Sequence, residues 1–222
     1  MASATRPYPP PPPPAPFVTR KLPAGVWFRV HPFDAATGRY APDAFNASGR
    51  GNARFSPLVD PVTNRPIPTL YAADDPRGAI AEIVLHDVPT PSTGYLHDIQ
   101  RDYDQSLHLS SIRVAELDLV NMTTHGLQAA GLVPSDLFDG GMPDYPRTRE
   151  WGLHIWRHVP RAQGLRWMSR RDNSRQVIML FGDRLDASDV IALGGPDPLQ
   201  DHEALIVEVL DDMGAGIAPW SI

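Results

Sequence analysis

Along the chain, apolar and polar positions alternate with the period of strands in some stretches and the period of helices in others. GVWFRVHP (Gly25–Pro32) has the β-branched and aromatic content of a strand, carries Arg29 within it and stops at a proline. Over residues 33–69, Gly, Pro, Asn and Asp recur without sustained periodicity. This predicts a long loop region with room for one short helix, and loops of that length in compact domains tend to be functional or disordered. Periodicity returns at Thr69–Ala73, a short strand that runs into Asp74-Asp75-Pro76, an acidic cap with proline at the first helical position. The helix predicted from there extends to about His86, with Ala79, Ile80, Ile83 and Val84 on one face and Glu82 off the centre of that stripe.

Further along, SSIRVAELDLV alternates enough to predict one strand, and residues 122–132 and 147–159 read as helical. Strands are predicted over 164–169 and 176–181, the second nearly continuous in apolar residues, as in a buried central strand. Residues 199–212 fit either an acidic amphipathic helix or a strand with a turn. No internal repeat is present. Strands and helices do not alternate steadily, so the expected class is α+β and not a doubly wound parallel sheet.

Composition changes this picture at one end. Of the 25 prolines among 222 residues, six form the run Pro9 to Pro14, with Pro7 and Pro16 beside it. Residues 1–22 are therefore expected to be an extended, polyproline II-like tail, and residues 23–222 a single domain. A net charge of -6 and a pI near 5.7 argue against a nucleic-acid or anionic-membrane partner held by bulk electrostatics, so any bound anion must be small and locally held. No apolar run approaches the roughly 18 residues of a membrane span, and the first residues lack the order of a signal peptide, so a cytoplasmic protein is expected. The absence of cysteine rules out disulfides, thiolate nucleophiles and Cys-type zinc sites.

Several candidate motifs fail on inspection. His154 and His158 stand four apart on a predicted helix, a spacing that lets two imidazoles share a metal, but Ile155 follows His154 where HExxH needs Glu, and Trp151, Ile155 and Trp156 suit a packed helix. No metal site is expected. His86, His97 and His108 recur every eleven residues, but Pro89, Pro91 and Gly94 interrupt any helix between them. In GRGNARFSPL, Gly49-Arg50-Gly51 lacks the third glycine of a dinucleotide fingerprint and follows a loop instead of a strand. Walker A and GxSxG sequences are also absent.

Five short elements in order carry more: Phe28-Arg29, Ala53-Arg54-Phe55, Leu70-Tyr71-Ala72-Ala73, Glu82, and Gly164 to Ser169 with an aromatic at Trp167. Singly, each has a bland explanation. Arg29 could pair with an acid across a sheet, Tyr71 could be core, Glu82 could lie on a solvated helix face, and Ser169 alone says little. Together, from Val26 to about Phe181, they resemble the RES family, named for its Arg, Glu and Ser. The resemblance implies an ADP-ribosyltransferase-like mixed sheet core flanked by helices. It also implies a toxin of a bacterial toxin–antitoxin pair, with an Xre-type antitoxin as partner and an active site that degrades NAD by hydrolysis or phosphorolysis.

By that resemblance NAD is a substrate, phosphate a possible co-substrate, and no further cofactor is implied. Arg29 and Arg54 would hold the pyrophosphate or an incoming phosphate, Tyr71 would orient the nicotinamide ribose, Glu82 would face the scissile bond and Ser169 would contact nicotinamide or phosphate. Glu82, Arg54 and Tyr71 form the implied catalytic set. The chemistry suits these types. Losing neutral nicotinamide leaves an oxocarbenium-like ribose that a carboxylate stabilises, and an anionic pyrophosphate is matched by planar, bidentate arginines. Two departures from the family pattern are mild, Ala53 for the usual Gly and Phe55 for a frequent Trp; a third, the insertion LVDPVTNRPIP, lengthens the path from Arg54 to Tyr71 and could alter the acceptor. The alternatives are ADP-ribose transfer to a protein, and a non-catalytic nucleotide- or protein-binding module in which the proline tail is a ligand for an aromatic groove.

Overall fold

In the computed structural model, which describes residues 16–219 other than 90 and 105, the period-two stretches assemble into one curled sheet and the helical stretches cover one of its faces. Strands β1 (Thr19–Leu22) and β2 (Gly25–Pro32) come first, followed by β3 (Leu58–Val59), β4 (Pro66–Ile67) and β5 (Thr69–Ala73), which leads into helix α1 (Pro76–Ile83). Next are β6 (Leu96–His97), α2 (Ile99–Asp104), β7 (Leu107–Val114), β8 (Leu117–Asn121), α3 (Thr124–Ala129), α4 (Pro134–Leu137) and α5 (Tyr145–His158). The remainder is β9 (Gly164–Met168), β10 (Gln176–Phe181), β11 (Val190–Ala192), β12 (Asp197–Pro198), α6 (Glu203–Asp212) and β13 (Gly216–Ile217).

The main sheet has the order β1-β8-β9-β10-β5-β2-β7-β11, with β12 also on β7. Its ladders are antiparallel except β8 with β9, so it is a mixed sheet flanked by helices, the α+β class expected. Successive side chains point to opposite faces. One face buries Trp27, Leu70, Ala72, Ile112, Val114 and Ile178 against one another. The other buries Val30, Ala73, Leu165, Trp167, Val177 and Met179 beneath α1 and α5. At Gly164 a Cβ would meet Met179 O at 2.3 Å, so only glycine lets β9 start this close to β10.

The predicted strand over 110–120 is two strands. Ile112 and Val114 share a face with Leu117 and Leu119, a change of parity that marks a bend at Ala115-Glu116. Before the bend the chain pairs with β2 and β11, after it with β1 and β9, and this crossing curls the sheet.

The expected tail is also shorter than 22 residues. Thr19–Leu22 pair with Val120 to Leu117, with Thr19 and Leu22 buried and Arg20 and Lys21 exposed, and Phe17 packs edge-on against Trp151 at 6.0 Å. The proline run over 7–14 lies outside the described residues.

Helix α1 begins as its sequence requires. Pro76 opens it and the Asp75 carboxylate accepts from Arg77 N at 2.8 Å. It ends at Ile83, which is 41% exposed, so the packed face is Ala79, Ile80 and Val84 without Ile83. Residues 199–212 resolve as a 3₁₀ turn and α6, with Ile206, Val209 and Leu210 buried. The insertion LVDPVTNRPIP forms the β3–β4 hairpin, with Leu58 and Ile67 buried. Among the described residues no helix is long and apolar enough to cross a membrane.

Candidate functional site

The stretch 49–58 reaches the sheet through an aromatic anchor. Gly49 and Gly51 adopt positive φ values of 68° and 116°, which turn the chain inward, and Phe55 is fully buried against Phe138 and Trp167. Burying a phenylalanine contributes about 1.5–3 kcal/mol toward holding this loop against the sheet.

Polar contacts from β5 and α5 fix what the anchor begins. Phe55 N donates to Tyr71 Oη at 3.2 Å, Thr148 Oγ1 donates to Arg54 O, and Arg149 Nε donates to Ala53 O at 3.2 Å and Ser56 O at 2.9 Å. Arg149 also donates through Nη2 to Asn52 Oδ1. Tyr71 is pushed up to about 12, chiefly by burial, with Ser56, Phe55, Arg54 and Arg149 pulling the other way. It is therefore a neutral phenol that receives the loop.

With its backbone fixed, Arg54 extends its guanidinium between rings and carbonyls. Nη1 donates to Leu137 O at 2.9 Å and Gly140 O at 3.2 Å, while Cζ lies 5.0 Å from the Tyr145 ring centroid and 5.8 Å from that of Phe138. Arg170 reaches the same carbonyl, its Nη1 lying 3.1 Å from Gly140 O.

Glu82 and Ser169 meet beside this pair. Ser169 Oγ donates to Glu82 Oε1 at 2.5 Å, and Arg170 N donates to the same oxygen at 3.0 Å. Among the described residues no hydrogen bond falls on Glu82 Oε2. Ser169 is 2% exposed, and its Oγ also accepts from Arg171 N and Asp172 N, both at 3.1 Å, so one hydroxyl closes the turn after β9 and tethers the carboxylate. Arg171 donates to Val88 O; burial, and then the neighbouring Arg170, lower its pKa while Glu82 raises it.

Arg54, Tyr71, Glu82 and Ser169 thus gather on the helix-covered face. Arg29 does not. Phe28 and Val30 face that side, so the intervening Arg29 points through the opposite face, where Nη1 donates to Pro42 O at 2.8 Å and Ala44 O at 3.1 Å. Burial lowers its pKa to about 10. Its guanidinium ties the 42–44 segment to β2, so of the five residues expected in the site Arg29 is the one not gathered with the others.

Arg149, Thr148, Arg170 and Gly140 were not singled out from the sequence. Only Arg170 had a local signal, the Arg170-Arg171 pair directly after the motif serine in an acidic chain. His154 and His158 have ring centroids 4.4 Å apart, with His154 buried and His158 exposed, and among the described residues no group of three or more His, Cys, Asp or Glu could hold a metal ion.

Comparison with known proteins follows the same residues. A model of the RES domain matches residues 26–205. No curated protein sequence matches the chain. Among solved structures, it is similar to a chain of the crystal structure of the M. tuberculosis MbcT–MbcA toxin–antitoxin complex, with a TM-score of 0.59 and 16% identity, covering 85% of this chain and 91% of that one. At that identity the likeness is one of fold.

Proposed function

The chain belongs to the RES domain family, and from that premise we propose that it is an NAD-consuming enzyme acting as the toxin of a toxin–antitoxin pair. The observation that carries the reading is the Glu82 carboxylate, tethered through Oε1 by Ser169 and Arg170 N and carrying no hydrogen bond on Oε2 among the described residues. A carboxylate held on one oxygen presents the other in a fixed position without reorganisation, which suits stabilisation of developing positive charge.

In the proposed reaction the bond from ribose C1′ to the nicotinamide nitrogen breaks, and its electron pair leaves with neutral nicotinamide. Glu82 Oε2 faces the resulting oxocarbenium-like carbon or its ribose hydroxyls. An oxygen of water or of inorganic phosphate then bonds to C1′; a water nucleophile releases its proton. Tyr71 and Arg149 hold the loop that aims Arg54, and Arg54 supplies positive charge for a phosphate group. The Phe55, Phe138 and Trp167 cluster limits water on one side. A fold like that of a chain in a toxin–antitoxin complex supports an antitoxin partner, for which an Xre-type protein is the family expectation.

The test is nicotinamide release from NAD by the purified chain, with and without phosphate. Release that disappears in Glu82→Gln supports the reading, and phosphate dependence distinguishes phosphorolysis from hydrolysis. No release by the unaltered chain, or equal release by the variant, overturns it.

A further inference from the structure

Two guanidinium groups donate to one backbone oxygen. Arg54 Nη1 and Arg170 Nη1 lie 3.2 Å and 3.1 Å from Gly140 O, so two cations from distant parts of the chain stand within two hydrogen-bond lengths of each other. Like charges at that separation repel, and a neutral carbonyl offsets little of the repulsion. A tetrahedral oxyanion in place of that oxygen would accept from both groups as charge-assisted, potentially bidentate bonds.

The surroundings favour the same ligand. The chain carries net charge -6, yet Arg170 also lines a cleft of about 590 Å³ whose other charged lining residues are Arg77, Arg171, Arg175, Asp172 and Asp212, four arginines against two acids. Arg77 is matched by Glu208 and Asp212, and Arg175 by Asp75 and Asp172, whereas among the described residues the guanidiniums of Arg54 and Arg170 hydrogen-bond to carbonyl oxygens and to no carboxylate. Arg170 is exposed, and its backbone N is bonded to Glu82, which places a ligand held by its side chain beside the candidate catalytic carboxylate. Gly140 lies beside Gly141 in the segment between α4 and α5, where neither residue has a Cβ to restrict the backbone.

We propose that Arg54 and Arg170 form a two-arginine clamp for a phosphoryl group, with the Gly140 carbonyl occupying the anion's place until it binds. This assigns Arg170 to a position that neither the sequence motifs nor the fold comparison gives it. It deepens the proposed function and rests on it for the molecule that carries the phosphoryl group, which is either inorganic phosphate as co-substrate or the pyrophosphate of the dinucleotide.

Binding of inorganic phosphate, inorganic pyrophosphate and ADP-ribose to the purified full chain, measured by calorimetry without turnover, tests the clamp. Saturable one-to-one binding is expected, weakened about 10-fold or more in Arg170→Gln by loss of a charge-assisted bond. Arg170→Lys should fall between the two, and Arg50→Gln, at an exposed loop arginine, should match the unaltered chain. Tighter binding of phosphate than of the diphosphates assigns the clamp to the co-substrate; the reverse assigns it to the dinucleotide. Absence of binding by all three anions, unchanged binding in Arg170→Gln, or equal weakening in Arg50→Gln overturns the clamp. Anion binding that depends on Arg170 in a chain that releases no nicotinamide would sustain the clamp and remove the NAD-cleaving function.

Discussion

Ser169 Oγ and Glu82 Oε1 lie 2.5 Å apart, and the serine hydroxyl that donates to the carboxylate also accepts two backbone N–H groups of its own turn. Position and charge are therefore separable at this pair. Glu82→Gln keeps the size and removes the charge, and nicotinamide release should fall on the order of 10²–10³-fold, as when a group stabilising transition-state charge is lost. Ser169→Ala keeps the charge and removes the tether, so kcat should fall about 10-fold while Tm drops with the loss of the buried acceptor. Steady-state kinetics and thermal melts of both variants separate the two roles.

Tyr71 takes the Phe55 N–H on its hydroxyl, and Tyr71→Phe leaves that buried donor without its partner. The expected cost is about 1–3 kcal/mol, or roughly 2–12 °C in Tm for a chain of this size. Because the loop loosens while Glu82 stays tethered, KM for NAD should rise more than kcat falls. A fall in kcat alone would place the hydroxyl on the reacting ribose instead.

Arg149 should influence activity through the backbone of the Arg54 loop. Its Nε serves Ala53 O and Ser56 O while its Nη2 serves Asn52 Oδ1, and a lysine, with one nitrogen, cannot reproduce that fork. Arg149→Lys is expected to lower kcat/KM about 10-fold with a Tm decrease of a few degrees, and to reduce phosphate affinity in parallel because Arg54 is no longer held. Unchanged affinity would detach Arg149 from the site.

The sequence made the site's members more legible than their directions. Arg54, Tyr71, Glu82 and Ser169 lie on one face of the sheet, and each sits in a short motif whose local structure, a cap at Asp75 or a close approach at Gly164, is written nearby. Arg29 lies apart from them; strand parity is legible in the sequence, but the face turned to the helices is not: Phe28 and Val30 face the helices and Arg29 cannot. The bend at Ala115-Glu116 is written as a parity break between Val114 and Leu117, but the alternation on both sides of it reads as one strand. Arg149 and Gly140 were out of reach, because each acts through backbone atoms of a segment more than 80 residues away.

Arg29 should accordingly behave as a structural residue. Its removal leaves Pro42 O and Ala44 O without a donor on the face away from Glu82. Arg29→Met, which retains most of the aliphatic stem, should lower stability by about 2–3 kcal/mol, the cost of losing bonds from a charged donor, with a Tm decrease of roughly 4–12 °C. KM for NAD, measured well below the melting range, should change less than about 3-fold, under the tenfold that corresponds to 1.4 kcal/mol. A rise beyond tenfold at unchanged Tm would return Arg29 to the substrate.

The same face holds a pH-dependent element. His31 is 3% exposed; its Nδ1 lies 2.8 Å from Pro32 O and must carry the proton, which leaves Nε2 to accept from Ser110 Oγ at 2.8 Å. Burial, then the charge of Arg29, lowers its pKa to about 4. In the unfolded chain it titrates near 6.5, so between pH 6.5 and 4 the unfolded state binds the extra proton and the folded state does not. Stability therefore rises with pH across that window, with a total contribution on the order of 3 kcal/mol, and above pH 6.5, where both states are neutral, this residue adds no slope. In His31→Gln, which can still donate an N–H to Ser110, that part of the slope should vanish. Chemical denaturation of both proteins from pH 4 to 8 measures it: the stability difference between them should shift in favour of the variant as pH falls below 6.5 and stay constant above it. A constant difference over the whole range would mean that His31 is protonated in the folded protein as readily as in the unfolded one, and that its imidazole is not confined to the tautomer that the Pro32 and Ser110 contacts require.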